Sequence, residues 1–166
     1  GYKVKYHNCE VEDLEFLKMI PYLTPDGSYR LSSMPSRILK LGKVLTKPTI
    51  IAMEKDPIKA AKITAYAVSE GLSHIPRDMP ILGTFLKVID AFKKKKKCRE
   101  HLVQDYYKVT STSPFLVNKE DVYKLYCRRY NYTFEEIQDL DSFISSFTPP
   151  GVIAHPLLYN LYERDY

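Results

Sequence analysis

Between Leu14 and Gly42 the hydrophobic pattern of this chain changes period, and that change limits its fold more than any other feature. Tyr2, Val4 and Tyr6 alternate with Lys3, Lys5 and His7, the period-2 signature of a half-buried strand. Leu14 to Ile20 reads as a second extended segment. Pro21, Thr24, Pro25, Asp26 and Gly27 break it, and Tyr29-Arg30-Leu31 can return as its partner. Asp-Gly is a strong turn signal because glycine accepts the positive φ such turns require. From Met34-Pro35 onward the period is helical. Pro35 suits a first helical position with Ser33 as the cap, and Ile38, Leu41 and Leu45 recur on one face. Lys40, Lys43 and Lys47 fall on a neighbouring stripe, and Pro48 stops the helix.

Everything downstream reads as helix. Asp56-Pro57 is a helix start, and Ile58, Ala61, Ala65, Val68 and Leu72 form an apolar face that ends near Gly71. A third helix runs from about Met79, with Leu82, Phe85, Ile89 and Phe92 inward, into the run Lys93–Lys97. After a Ser/Thr-rich stretch from Val109 to Pro114, Asn118 caps a helix with Val122, Leu125 and Tyr126 inward. Thr133-Phe-Glu-Glu136 is a capping box, and its helix carries Phe134, Ile137, Leu140, Ile144 and Phe147. Pro149-Pro150-Gly151 ends it, and a short helix around Pro156–Tyr162 follows. The expected fold is α+β, a small antiparallel β element over residues 1–34 followed by a mainly α-helical domain over residues 35–166.

Charge divides the chain unevenly. Residues 1–100 hold 19 Lys/Arg against 11 Asp/Glu, whereas residues 101–166 hold 6 against 9. Cations held near phosphates release counterions, so the first part has the electrostatics of a nucleic-acid surface. The same lysines also fit a solvated face that keeps the protein soluble. With 45% hydrophobic and 27% charged residues the composition is globular, and 166 residues can bury a core. No apolar run approaches the roughly 18 residues that span a bilayer, and Gly1 does not open a signal peptide. Cys9, Cys98 and Cys127 are odd in number and widely spaced, which argues against a disulfide framework and suits a reducing compartment.

Few residue constellations point to chemistry. His7-x-Cys9 is the nearest approach to a metal pair, and no second pair stands at zinc spacing. Asp139 and Asp141 project in different directions from one helix, as on a solvated face. There is no Ser-His-acid cluster and no glycine-rich phosphate loop.

The order Gly1-Tyr-Lys-Val-Lys5, acidic linker (Glu10, Glu12, Asp13), Glu15-Phe-Leu-Lys18, Asp26-Gly-Ser-Tyr29 and Met34-Pro35 resembles two palm motifs of positive-strand RNA virus RNA-dependent RNA polymerases. These are the motifs called D and E. Phe16-Leu17-Lys18 is similar to the motif E core of picornavirus-like enzymes, and Ser36-Arg-Ile-Leu-Lys-Leu-Gly42 to the thumb entry of nodavirus-like ones. The resemblance covers about the first 45 residues; the family's Gly-Asp-Asp is absent.

The resemblance implies that residues 1–34 end a palm and residues 35–166 form a thumb. Phe16, Leu17 and Lys18, with Tyr29 and Arg30 opposite, would support the 3′ end of the growing strand. Lys5 would protonate the departing pyrophosphate, with Lys3 and His7 as competitors; the wet face of a strand is the other account of these three. Arg37, Lys40 and Lys43 would grip the duplex by its phosphates. The implied partners are RNA template and product, nucleoside triphosphates and other viral replication proteins, in host cytoplasm at membrane-associated replication complexes. Mg2+ or Mn2+ is implied for the parent enzyme, held by carboxylates upstream, so the chain alone is expected to be inactive. A free-standing basic RNA-binding module and a helical protein-interaction domain are the alternatives.

Overall fold

The computed structural model describes residues 9–44, 56–93 and 114–166, and within 9–44 it leaves the side chains of residues 40 and 42–44 undescribed. The strand expected over residues 2–6, and with it Lys5, lies outside the described residues, as do Lys47, Pro48 and residues 94–97. After a single 3-10 turn at Val11–Asp13 come β1 (Met19–Leu23) and β2 (Tyr29–Ser33). Six helices follow among the described residues: α1 (Arg37–Val44), α2 (Pro57–Gly71), α3 (Leu82–Phe92), α4 (Lys119–Tyr130), α5 (Phe134–Ser146) and α6 (Pro156–Asp165). The architecture is α+β, a two-stranded antiparallel ribbon on a helical body.

The ribbon pairs Met19 with Ser33 and Leu23 with Tyr29, closed by a loop in which Gly27 takes φ +81°. Asp26 organises that loop by accepting from Thr24 Oγ1, Ser28 N and Ser28 Oγ. These donors stabilise the ionised carboxylate and pull its pKa down to about 2. The first strand is displaced from its expected place. Leu14–Lys18 is not strand but a bridge and a tight turn, and Pro21 lies inside β1 opposite Leu31. Proline is tolerated there because each strand of a two-stranded ribbon has an edge without ladder bonds.

The helix starts follow local chemistry. Asp56 accepts from Ile58 N (2.9 Å) and Lys59 N (3.3 Å) ahead of Pro57, and Asn118 accepts from Glu120 N (3.0 Å). Both halves of the Thr133–Glu136 capping box are formed. Ser33 does not cap α1: it ends β2, and its hydroxyl accepts from Arg37 Nη1. The chain instead makes a turn at Pro35-Ser36, and α1 begins at Arg37. On α2, Ile58 is exposed, and the buried side chains are Ala60, Ile63, Thr64, Ala65, Val68 and Ser69.

One hydrophobic core runs from Ile20, Tyr22 and Met34 through Ile38, Val68 and Leu86 to Tyr126, Leu140 and Leu161. It continues across residues 34 and 35, at the end of β2. Between α2 and α3 the chain turns tightly: a Cβ on Gly83 would stand 2.4 Å from the Pro76 carbonyl oxygen, so only glycine allows this approach. Arg77 closes the C-terminal end of α2 by donating to the carbonyls of Leu72, Ile75 and Ser69, while its Nε binds Asp90 at 2.8 Å.

Asp141 is not on a solvated face. It is 5% exposed and accepts from Ile81 N (2.7 Å) and Tyr123 Oη (2.9 Å), with Lys119 Nζ 3.1 Å away. Ile81 itself has φ 66° and ψ −75°, and Leu82 N donates to Pro80 O at 2.8 Å across it. That is a γ-turn of the strained, positive-φ kind. It swings the chain into α3 while keeping Ile81 in the core, and Asp141 holds the amide the turn leaves over.

Candidate nucleic-acid interface

The turn before β1 is the most unusual piece of backbone near the sequence motifs. Phe16 and Met19 exchange both amide hydrogen bonds at 2.9 Å, which leaves Leu17 and Lys18 as the two turn residues. Their φ angles are 50° and 62°. Two consecutive left-handed residues define the tight turn whose twist matches flanking strands, and such turns normally carry Asn-Gly. A Cβ in this conformation costs on the order of 1 to 2 kcal/mol per residue. The side chains gain little burial in return, since Phe16 is 59% and Leu17 77% exposed. Backbone strain under exposed apolar side chains makes this turn a candidate contact site. No Gly, Asn or Pro between Leu14 and Ile20 announces the turn, so the residue pattern alone gave no signal for it.

A buried polar chain clamps this ribbon to the helices. Tyr22 Oη donates to the Ser33 carbonyl at 2.8 Å and lies 3.1 Å from Tyr126 Oη. Because the single Tyr22 proton is committed to Ser33, Tyr126 is the donor to Tyr22. Tyr22, Tyr126 and Tyr130 pack edge to face, with ring centroids 6.2 and 6.0 Å apart. Burial raises the pKa of all three phenols, so they remain protonated donors. Tyr130 Oη donates to Asp165 Oδ1 at 2.8 Å, and Ser36 Oγ donates to Asp165 Oδ2. Asp165, 1% exposed in the last turn of α6, thus joins α4 to the residue that precedes Arg37.

Burial raises the Asp165 pKa, and the hydrogen bonds from Ser36 and Tyr130 oppose that rise only in part. A raised folded-state pKa means the group favours folding fully below its unfolded value near 3.8, and that contribution is lost as pH rises through the folded value. The unfolding free energy of the parent minus that of Asp165→Asn is therefore expected to fall as pH is raised from 4 towards neutrality. Urea titrations at several pH values measure it; a difference independent of pH would mean that Asp165 does not titrate in this way.

The cations separate into two groups. Lys18 is paired with Glu15 at 3.0 Å, and its Nζ stands 5.3 Å above the Tyr166 ring. Arg37, one turn beyond Ser33, lies at the same end of the ribbon. Arg30 lies at the other end, opposite Tyr22, and Tyr29 is opposite Leu23 and donates to Glu12. Arg30 and Tyr29 are therefore not opposite Phe16–Lys18. Their pairing positions, Tyr22 and Leu23, lie four and five residues beyond Lys18, about 13 to 17 Å along the strand. The backbones of Lys40 and Lys43 belong to α1; their side chains lie outside the described residues. On α4, Arg128 and Arg129 are engaged by Asp13 and Glu15, each at 3.1 Å. Lys93, the first of the lysine run, binds Asp90 at 2.9 Å at the end of α3.

Among the described residues no three His, Cys, Asp or Glu side chains stand close enough to hold a metal ion. The two buried carboxylates, Asp141 and Asp165, have their oxygens taken by protein donors. These residues do not fit Mg2+ or Mn2+. No helix among the described residues is long and apolar enough to cross a membrane. Comparison with family models, curated proteins and solved structures found no match.

Proposed function

We propose that this chain forms the end of the palm and the thumb of an RNA-directed RNA polymerase, and that its part in synthesis is to position RNA. The turn Phe16–Lys18 supports the 3′ end of the growing strand, and Arg37, Lys40 and Lys43 on α1 grip the duplex. The observation that carries this reading is the left-handed Leu17-Lys18 turn, which holds two exposed apolar side chains and a cation at one end of a clamped ribbon. Positioning is itself catalytic: bringing a hydroxyl within reach of an incoming phosphate supplies a large part of a rate enhancement. Phosphate contacts that ignore base identity suit an enzyme that copies any sequence. The apolar side chains of Leu23, Tyr29 and Leu31 remain exposed on the ribbon, area that a neighbouring palm sheet would cover. In this reading Lys5 would donate a proton to pyrophosphate, and carboxylates of the parent enzyme would hold the divalent ions, whose contribution would be to neutralise charge on the phosphates. Its partners are then template and product RNA, nucleoside triphosphates and other replication proteins in the host cytoplasm.

Fluorescence anisotropy with a short labelled RNA duplex tests the binding, and a primer-extension assay tests the division of labour. The 166-residue chain is expected to bind duplex RNA without sequence preference, and the affinity is expected to fall steeply between about 50 and 200 mM salt. With primed template, nucleotides and Mg2+ or Mn2+ it is expected to give no extension. Absence of RNA binding at low salt would sink the reading, and extension by the pure chain would overturn its role as a positioning segment.

A further inference from the structure

A cavity of about 450 Å3 lies between α1, α2, α3 and the segment that follows α5. Leu41 of α1, Ala61 and Ala65 of α2, and Phe85 and Phe92 of α3 form its walls, and Val152, 87% exposed, marks where it meets solvent. Every residue that lines it is aliphatic, aromatic, glycine or proline, so no side chain inside donates or accepts a hydrogen bond. Sites for small molecules measure about 300 to 1,000 Å3 and combine apolar walls with a few polar groups. Here the polar group stands at the edge. Lys62 follows Ala61 on α2, and its Nζ is 5.5 Å from the centre of the Phe92 ring. Because Phe92 is a wall of the cavity, the ammonium lies beside it. Past Phe92 the sequence enters Lys93–Lys97, its densest run of cations.

This lining selects its occupant. A nucleotide, a sugar or a peptide segment would set polar atoms against it without partners, each giving up hydrogen bonds to water. The space is about that of one turn of helix with its side chains, too little for a docking helix of several turns. An alkyl chain fits on both counts. It asks for no hydrogen bond, and covering these rings and methyl groups removes apolar surface from water. The cation at the edge calls for a negative head. We propose that this cavity binds the hydrocarbon chain of a fatty acid, with Lys62 holding the carboxylate at the edge of the apolar walls. The inference does not depend on the RNA reading, since neither Arg37 nor the Phe16–Lys18 turn lines the cavity.

Titration calorimetry of the 166-residue chain with dodecanoate, kept below the concentration at which it forms micelles, tests this. Saturable binding of one dodecanoate per chain is expected, and the thermal midpoint should rise with its concentration. Ala61→Phe puts a ring into the cavity and is expected to weaken binding by on the order of tenfold or more. Ala61 is half-buried and outside the packed core, and Ala61→Leu is a smaller filling should phenylalanine disturb folding. Lys62→Gln is expected to weaken dodecanoate by about twofold to fivefold and to leave the neutral dodecanol unaffected, while Lys62→Arg keeps both affinities. No saturable binding by the parent would overturn the inference, as would binding that neither Ala61 variant weakens. Dodecanol bound as tightly as dodecanoate, with no effect of Lys62→Gln, would refute the recognition of an anion. Two other occupants have their own signatures, and either one overturns the inference. Binding to vesicles of anionic phospholipid without binding to monomeric dodecanoate would make this a membrane contact. A dimer in sedimentation that Ala61→Phe dissociates would mean that a second copy covers the cavity.

Discussion

Replacing Asp141 with alanine is expected to lower the stability of the chain by about 3 to 5 kcal/mol, since two buried donors lose their acceptor together. The Ile81 amide and the Tyr123 hydroxyl both end on this carboxylate, and all three residues are buried. Each unsatisfied donor costs on the order of 1 to 3 kcal/mol. The γ-turn at Ile81 adds its own strain, which Asp141 helps to hold in place. A domain of this size stores roughly 5 to 15 kcal/mol in all, so the loss is a large fraction. The thermal midpoint is expected to fall by on the order of 10 °C. Asp141→Asn keeps one acceptor and should lose less. Lys119→Ala removes a half-exposed cation from the buried carboxylate but leaves both hydrogen-bond donors satisfied, so it is expected to cost less than Asp141→Ala. If Asp141→Ala and Lys119→Ala proved equally mild, Asp141 would be no more than a surface acid.

The second large effect concerns affinity. Changing Arg37, Lys40 and Lys43 together to alanine is expected to weaken duplex RNA binding by on the order of tenfold to a hundredfold at about 50 mM salt. The slope of log affinity against log salt should flatten by about three, one for each phosphate that no longer has a cation beside it. The two changes belong together, because both measure counterions released by the same three cations. Arg37 also donates to Ser33, so Arg37→Lys is the companion variant, and thermal melting separates folding from binding. Lys87, paired with Asp78 and outside the proposed interface, is the control: Lys87→Ala should leave the slope as it is. An unchanged slope in the triple variant would make α1 a solvated helix and remove its place in the interface.

Much of the helical body was legible because its signals are local. Asp56-Pro57, Asn118 and the Thr133–Glu136 box announce helix starts through hydrogen bonds that span two or three residues, and all three form. Asp26-Gly27 announced the loop between the strands for the same reason, with glycine at positive φ. The ribbon's extent was not legible. An apolar-rich stretch such as Leu14 to Ile20 looks extended whether it pairs forward or folds back on itself, and Phe16–Met19 folds back without any turn-forming residue. The strand therefore slid by several residues, Pro21 entered it, and Arg30 moved to the opposite end from Lys18.

What the residues determined by themselves is the class of fold and the places where helices begin, since caps, prolines and apolar periodicity act over a few positions of the chain. Tertiary structure alone decided which polar groups are buried. Asp141 and Asp165 are ordinary surface acids by sequence, and each becomes a core acceptor only because residues tens of positions away bring their donors to it: Ile81 and Tyr123 to the first, Ser36 and Tyr130 to the second. The same holds beside the Leu17-Lys18 turn, where Lys18 Nζ stands 5.3 Å from the centre of the Tyr166 ring although the two residues are far apart in sequence. A carboxylate's environment and a cation's neighbour are properties of packing, in which distant segments meeting in space decide what is desolvated, and no local pattern encodes them.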